Sequence, residues 1–200
     1  MKNKYIFQSE RLGFRRWQES DKDLFSAMNA DPIVMKYFPK PLTKERSDWL
    51  IDKFEQDLAG KGYGIWAVDR LKDHQFIGFI GLADIDMPDV TSSSIEIAWR
   101  LDKQFWKKGY AVEGAKTCLD YAFQTLRMDE ICAFTSTINK PSEKVMERIG
   151  MQRIKTFGHP KLEIDSPLKQ HVLYQIRYDY SSISEHCAYN KSASARLETQ

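Results

Sequence analysis

The run from Glu96 to Ala115, EIAWRLDKQFWKKGYAVEGA, constrains this chain more than any other stretch. Its first part alternates apolar and polar residues as a strand does, and its last part opens an amphipathic helix. Between them lies a short basic turn, Lys107-Lys108-Gly109. A glycine at such a junction lets the backbone come close to a bulky anion. The free N–H groups of the helix's first turn then point at that anion, assisted by the helix dipole. The two lysines add positive charge in the same place. The feature is a phosphate-binding device built into a strand-turn-helix unit.

The remaining pattern supplies a sheet and helices around it. Residues 11–17 read as a first strand, and Ser20 with Asp23 resembles a capping box opening a helix that carries Leu24, Phe25 and Met28. Asp31-Pro32 breaks that helix. A second helix begins near Thr43, with Trp49, Leu50, Phe54 and Leu58 at helical spacing and Gly60 and Gly62 at its end. Residues 63–68 and 76–82 form a hairpin, in which Gly78 and Gly81 mark a bulge or close backbone approach. The strand ending at Leu101 follows, then the helix after Gly109, a strand over 130–135, and a helix from Asn139 to Ile149 that Gly150 stops. Strands over 152–157 and 171–178 come last. This order predicts one mixed sheet with helices on both faces, in a single domain over residues 1–180. Residues 181–200 offer little to bury and read as a poorly ordered tail.

Composition removes several classes. Thirty basic against 28 acidic residues leave a net charge of +2, and no basic stripe is interleaved with aromatics, so no nucleic-acid partner is expected. No apolar run approaches the roughly 20 residues that cross a bilayer, and the N-terminus lacks a signal-peptide core. Cys118, Cys132 and Cys187 have no metal-ligand spacing and read as free thiols in a reducing cytosol, with no metal expected.

With its Glu96–Asp102 and Phe105–Ala115 segments, the chain resembles the acetyl-CoA-binding motif of the GNAT acetyltransferases, and within them the ribosomal-protein N-acetyltransferase-like branch (RimJ/RimL type). Asn139-x-x-Ser142 through Ile149-Gly150-Met151 is similar to a second signature of that branch, and the segments at His159 and at His171–Tyr174 to one of its subgroups. The resemblance implies an α+β fold with a mostly antiparallel, twisted sheet of about seven strands, whose central pair splays apart near Leu101 and Glu130. It further implies that acetyl-CoA lies in that gap, pairing with backbone around Trp99 and Leu101, and that its pyrophosphate meets the segment from Lys107 to Val112, including Lys108, Gly109, Tyr110 and Ala111. Trp106 belongs to the same cofactor segment and is the branch's customary variant. Asn139 and Ser142 are implied cofactor contacts, with Ser142 alternatively an acid. Gly114 stands where the branch often has Ala, which points to close packing because an interior helix Gly costs on the order of 1 kcal/mol.

Acetyl transfer to an amine needs the amine neutral. A lysine-like amine titrates near 10.4, whereas an α-amino group titrates near 7.7–8.0 and needs only a weak base. Glu96, on the strand leading into the turn, is the candidate base; the rival reading is a solvent-facing residue alternating with Ile95 and Ile97. His159 and His171 read as structural, and Asp84, Asp86 and Glu163 as solvated loop charges. No cysteine is arranged as a nucleophile, and direct transfer needs none. The expected activity is N-acetylation of a primary amine, a protein N-terminus foremost. A small amine (polyamine, amino acid or aminoglycoside) is the alternative, a non-catalytic acyl-CoA-binding module the rival class, and a homodimer is left open.

Overall fold

Side chains that alternate along the strands sort the chain onto the two faces of one sheet. A computed structural model describes residues 4–178, so the expected tail lies outside the described residues. The strands are β1 (Phe7–Gln8), β2 (Leu12–Arg15), β3 (Ile65–Arg70), β4 (Gln75–Asp84), β5 (Ile95–Leu101), β6 (Glu130–Ser136), β7 (Gln152–Gly158) and β8 (Gln170–Arg177). They form an eight-stranded sheet in the order β1-β2-β3-β4-β5-β6-β8-β7. Every neighbouring pair is antiparallel except β5 and β6. The expected mixed fold is therefore present, with one strand more than about seven: β1 is two residues long, too short to leave a pattern in sequence.

Helices α1 (Asp21–Ala30) and α2 (Lys44–Lys61) cover one face, and α3 (Tyr110–Gln124) the other, with α4 (Lys140–Arg148) beside it. On the first face Trp17, Phe25, Phe54 and Phe79 pack ring on ring, with centroids 4.8 Å apart for Trp17–Phe25 and 6.0 Å for Phe25–Phe79. On the second, Leu12, Phe14 and Ile80 meet α3 at Gly114. A Cβ on Gly114 would collide with Ile80 and approach Leu12 Cδ1 at 3.1 Å, which is why the helix tolerates a glycine there. Each large apolar side chain so buried contributes about 1.5–3 kcal/mol.

Local signals mostly hold. Thr43 caps α2 by accepting from the Arg46 N–H, and Gly62 ends it at φ +75°. Gly78 sits at φ +134° opposite a register shift at Val68/Asp69, against the Arg100 carbonyl. The capping box at Ser20 does not form. Ser20 is itself helical (φ −62°, ψ −15°), a geometry in which its hydroxyl makes no cap bond. Asp21 instead accepts from the N–H of Gln18, three residues before the helix, at 2.8 Å. Trp49 and Leu24 have the spacing of core residues, yet stand 46% and 53% exposed; Arg46 stacks on Trp49 at 3.8 Å.

Candidate functional site

The site follows from how two neighbouring strands part. β5 and β6 run parallel, and their one registered pair is Glu96 with Cys132. Each keeps a full partner on its outer side, β4 and β8 respectively. The facing edges therefore open beyond Glu96, leaving roughly 16 Å of β5 edge at about 3.3 Å per residue. The Asp102 N–H donates to the Ile77 carbonyl on β4 at 2.9 Å. Alternation along a strand then turns the main-chain groups of Leu101 and Trp99 the other way, into the gap. One of them is shared: the Leu101 carbonyl accepts from Trp106 Nε1 at 2.7 Å, keeping one lone pair for another donor. Because the strands are parallel, both lead to helix N-termini, α3 after β5 and α4 after β6.

The turn between β5 and α3 wraps tightly. Lys107 takes φ +60° and Gly109 φ +83°, two left-handed residues separated by Lys108. Gly109 is the N-cap of α3, and its carbonyl accepts from the Glu113 N–H at 3.0 Å. The amides of Tyr110, Ala111 and Val112 precede the first intrahelical donor and have no acceptor within the helix. Lys107 and Lys108 are exposed, Tyr110 is buried against Phe105, and Trp106 is 41% exposed. A Cβ on Gly109 would meet only Arg11 Nη2, at 3.3 Å. An open, cationic turn beside an unpaired strand edge fits the diphosphate and arm of a coenzyme A thioester.

Glu96 lines a cavity of about 170 Å³ at the closed end of the gap. Phe134 of β6, Asp84 at the end of β4 with Ile85 to Met87 after it, and His159 and Lys161 after β7 complete its walls. Glu96 is half-buried, and among the described residues no hydrogen bond or ion pair engages its carboxylate. Burial pushes its carboxyl up to about 7, against the opposing pull of the Lys161 charge. Asp84 is committed elsewhere: it accepts from the Tyr63 hydroxyl at 2.7 Å and pairs with Lys61 at 2.7 Å. Asp86, read from sequence as a solvated loop charge, faces this cavity, whereas Glu163 is exposed and does not. His159 and His171 lie 4.7 Å apart, tilted at 49°, among Phe134 and Phe157, and burial first of all lowers both imidazoles below their usual value. A larger groove of about 680 Å³ runs along β7 and β8, but it holds no carboxylate.

At the start of α4, Asn139 is the N-cap. Its Oδ1 accepts from the Ser142 N–H at 3.4 Å, and its Nδ2 donates to Thr135 Oγ1 at 2.8 Å and to Ser142 Oγ at 3.1 Å. Both Nδ2 hydrogens are thus engaged while Oδ1 keeps one lone pair, and the Ser142 hydroxyl keeps its own proton to donate. Cys132 and Cys118 are buried, and burial raises both thiols, Cys132 to about 12, so neither offers a thiolate at neutral pH. Two charges near these sites gave no sequence signal. Arg11 reaches the α3 turn from a segment about 100 residues away, and Lys161 enters the Glu96 cavity from an exposed loop.

The chain is similar to known proteins along most of its length. The profile of the acetyltransferase (GNAT) domain family matches residues 11–152. The uncharacterised N-acetyltransferase YnaD of Bacillus subtilis is 31% identical over 146 residues, covering 72% of this chain and 81% of its own. The FsC-acetyl coenzyme A-N(2)-transacetylase of Aspergillus fumigatus is 31% identical over 140 residues, 65% of this chain, which spans 57% of that protein's length. The crystal structure of a GNAT-family acetyltransferase from Bacillus anthracis superposes with a TM-score of 0.72 at 26% identity, over 85% of this chain and 96% of the other. A sheet opened at β5 and β6, a cationic turn before α3 and these matches converge on one conclusion: the chain belongs to the GNAT acetyltransferase family.

Proposed function

We propose that this acetyltransferase moves the acetyl group of acetyl-CoA directly onto a primary amine held beside Glu96, the preferred acceptor being the α-amine of a peptide N-terminus. The observation that carries this reading is an unpartnered carboxylate walled into a small cavity where the parallel strands part, burial there pushing it up to about 7. A base of that strength is matched to an amine titrating near 7.7–8.0 and mismatched to one near 10.4. Acetyl-CoA supplies the activated thioester. The amides of Tyr110, Ala111 and Val112, with Lys107 and Lys108, hold its diphosphate, and Trp99 and Leu101 hold its arm through main-chain groups. Trp106 fixes the Leu101 carbonyl in the gap. Glu96 accepts the proton of the incoming amine. Ser142 donates toward the departing sulfur, and Asn139 acts through Ser142 by capping α4. The segments Glu96–Ala115 and Asn139–Met151 support the ribosomal-protein N-acetyltransferase-like branch, and the free thiols of Cys118 and Cys132, the cysteines among the described residues, support action in the cytosol.

The small volume of the cavity and the free carboxylate of Asp86 favour a second reading, a small-molecule amine. Thiol release from acetyl-CoA with a short peptide, the same peptide Nα-blocked but bearing a lysine, and a linear diamine separates the two. The free N-terminus is expected to show the highest kcat/KM at pH 7.5. Preference for the diamine transfers the assignment to the second reading. Tight acetyl-CoA binding without consumption of any amine removes both.

A further inference from the structure

The α3 turn carries a contradiction that the anion-binding reading must resolve. Glu113 lies one turn inside α3, close behind the open amides of Tyr110 to Val112. An unpaired carboxylate there would repel the same diphosphate that the helix dipole and the two lysines attract. The structure shows what happens to that charge. The Arg11 guanidinium pairs with Glu113 Oε2 through Nε at 2.6 Å and Nη2 at 2.5 Å. The Arg11 N–H and the Ser9 hydroxyl both donate to Glu113 Oε1, at 2.9 Å and 2.6 Å. From the same guanidinium Nη1 donates to the Lys108 carbonyl at 3.1 Å, and the group lies 4.7 Å above the Tyr110 ring. Burial alone would raise the Glu113 carboxyl, yet the Ser9 and Arg11 bonds outweigh it and hold it below its usual range.

We infer that Arg11 is a positioning residue for the coenzyme-binding turn: it cancels the Glu113 charge and ties down the Lys108 carbonyl, leaving the α3 N-terminus open to an anion. This rests on the proposed binding of coenzyme A at the turn and adds to it a residue outside the Glu96–Ala115 segment. The arrangement is a fork bonded on two sides, to a carboxylate and to the turn's own backbone, and a point charge such as lysine reproduces only the first. The cation is also placed so that its remaining N–H groups stay at the turn, since Nη2 lies next to Gly109.

The double substitution makes the test sharp, because a charge-cancelling role predicts rescue where a structural one predicts further loss. Coenzyme A affinity is measured by calorimetry at low ionic strength for the wild type, Arg11→Met and Arg11→Met/Glu113→Gln, with thermal melts as a check on folding. Arg11→Met is expected to weaken binding by at least about tenfold while kcat and the acceptor KM stay within about twofold. Adding Glu113→Gln is expected to recover the larger part of that loss. Arg11→Lys should fall between wild type and Arg11→Met. A double variant as weak as the single one, or weaker, overturns the inference, as does unchanged affinity in Arg11→Met. A wild type that binds no coenzyme A sinks instead the functional reading beneath it.

Discussion

Glu96 and Lys161 act on one proton from opposite sides. Burial favours the neutral carboxyl, and the nearby ammonium favours the charged one. A base whose folded pKa is raised is protonated, and inactive as a base, below that value. At saturating amine, where the free substrate's own titration no longer enters, the kcat of the wild type should therefore climb with pH through about 7 and then level off. In Glu96→Gln the climb should disappear and turnover fall roughly 10²–10⁴-fold, with coenzyme A affinity unchanged. In Lys161→Met the climb should move to higher pH, because the one opposing charge is gone. Steady-state rates at fixed ionic strength decide both points, and a Glu96→Gln enzyme as fast as wild type at every pH takes Glu96 out of the mechanism. At this scale the sequence showed which residue types were available but not their surroundings. Glu96 was equally readable as solvent-facing, and only the walls contributed by Phe134, Asp86 and Lys161 give it a desolvated, unpartnered carboxylate.

The turn and α3 are the elements most fully legible in the chain. Alternation up to Leu101, the basic triplet and an apolar stripe beyond Gly109 together specify strand, turn and helix within a few residues of the observed bounds. Gly114 shows how an element's own preferences can be overridden by what it packs on. Replacing an interior helix Gly by Ala ordinarily stabilises by about 0.5–1 kcal/mol. Here the added methyl meets Ile80 of β4 and Leu12 of β2, so Gly114→Ala should destabilise by about 1–3 kcal/mol net. Urea unfolding should show a lower midpoint with an unchanged slope, whereas a raised midpoint would refute the packing argument. The failed cap at Ser20 belongs to the same scale. The motif was present in sequence and α1 does start at Asp21, but Ser20 is itself helical and makes no cap bond, and Arg15 holds the Asp21 carboxylate in a bidentate contact at 2.6 and 2.8 Å.

Across the whole molecule, a buried ionic network ties the first strands to α1. Arg15 bridges Asp21 and Asp69, and Lys4 reaches Asp69 at 2.8 Å. Burial would raise the Asp69 carboxyl, but the bonds from Arg15 and Lys4 outweigh it and depress its pKa. A depressed acid contributes stability that is complete above its unfolded value, about pH 4, and lost as pH falls through the lower folded value. Asp69→Asn leaves the buried Arg15 charge half-compensated and should cost about 3–5 kcal/mol at pH 7. Denaturation at pH 7 and pH 3 should show the gap between wild type and variant narrowing in acid. A gap independent of pH would contradict the network's role.

What the sequence determined by itself is the set of local devices: the basic glycine turn before α3, the α4 cap, the hairpin glycines and the mixed α+β order of elements. Each depends on residues within a few positions of one another, and backbone geometry and periodicity act over that range. What only the tertiary structure decided is which distant charges meet. Arg11 finds Glu113, Lys161 faces Glu96, and Asp84 is neutralised by Lys61 and Tyr63, because strand order brings together segments tens of residues or more apart. The parting of β5 from β6 is of the same kind. It arises where each strand is fully paired on its outer side and the inner edges share a single register pair, a relation no stretch of sequence contains.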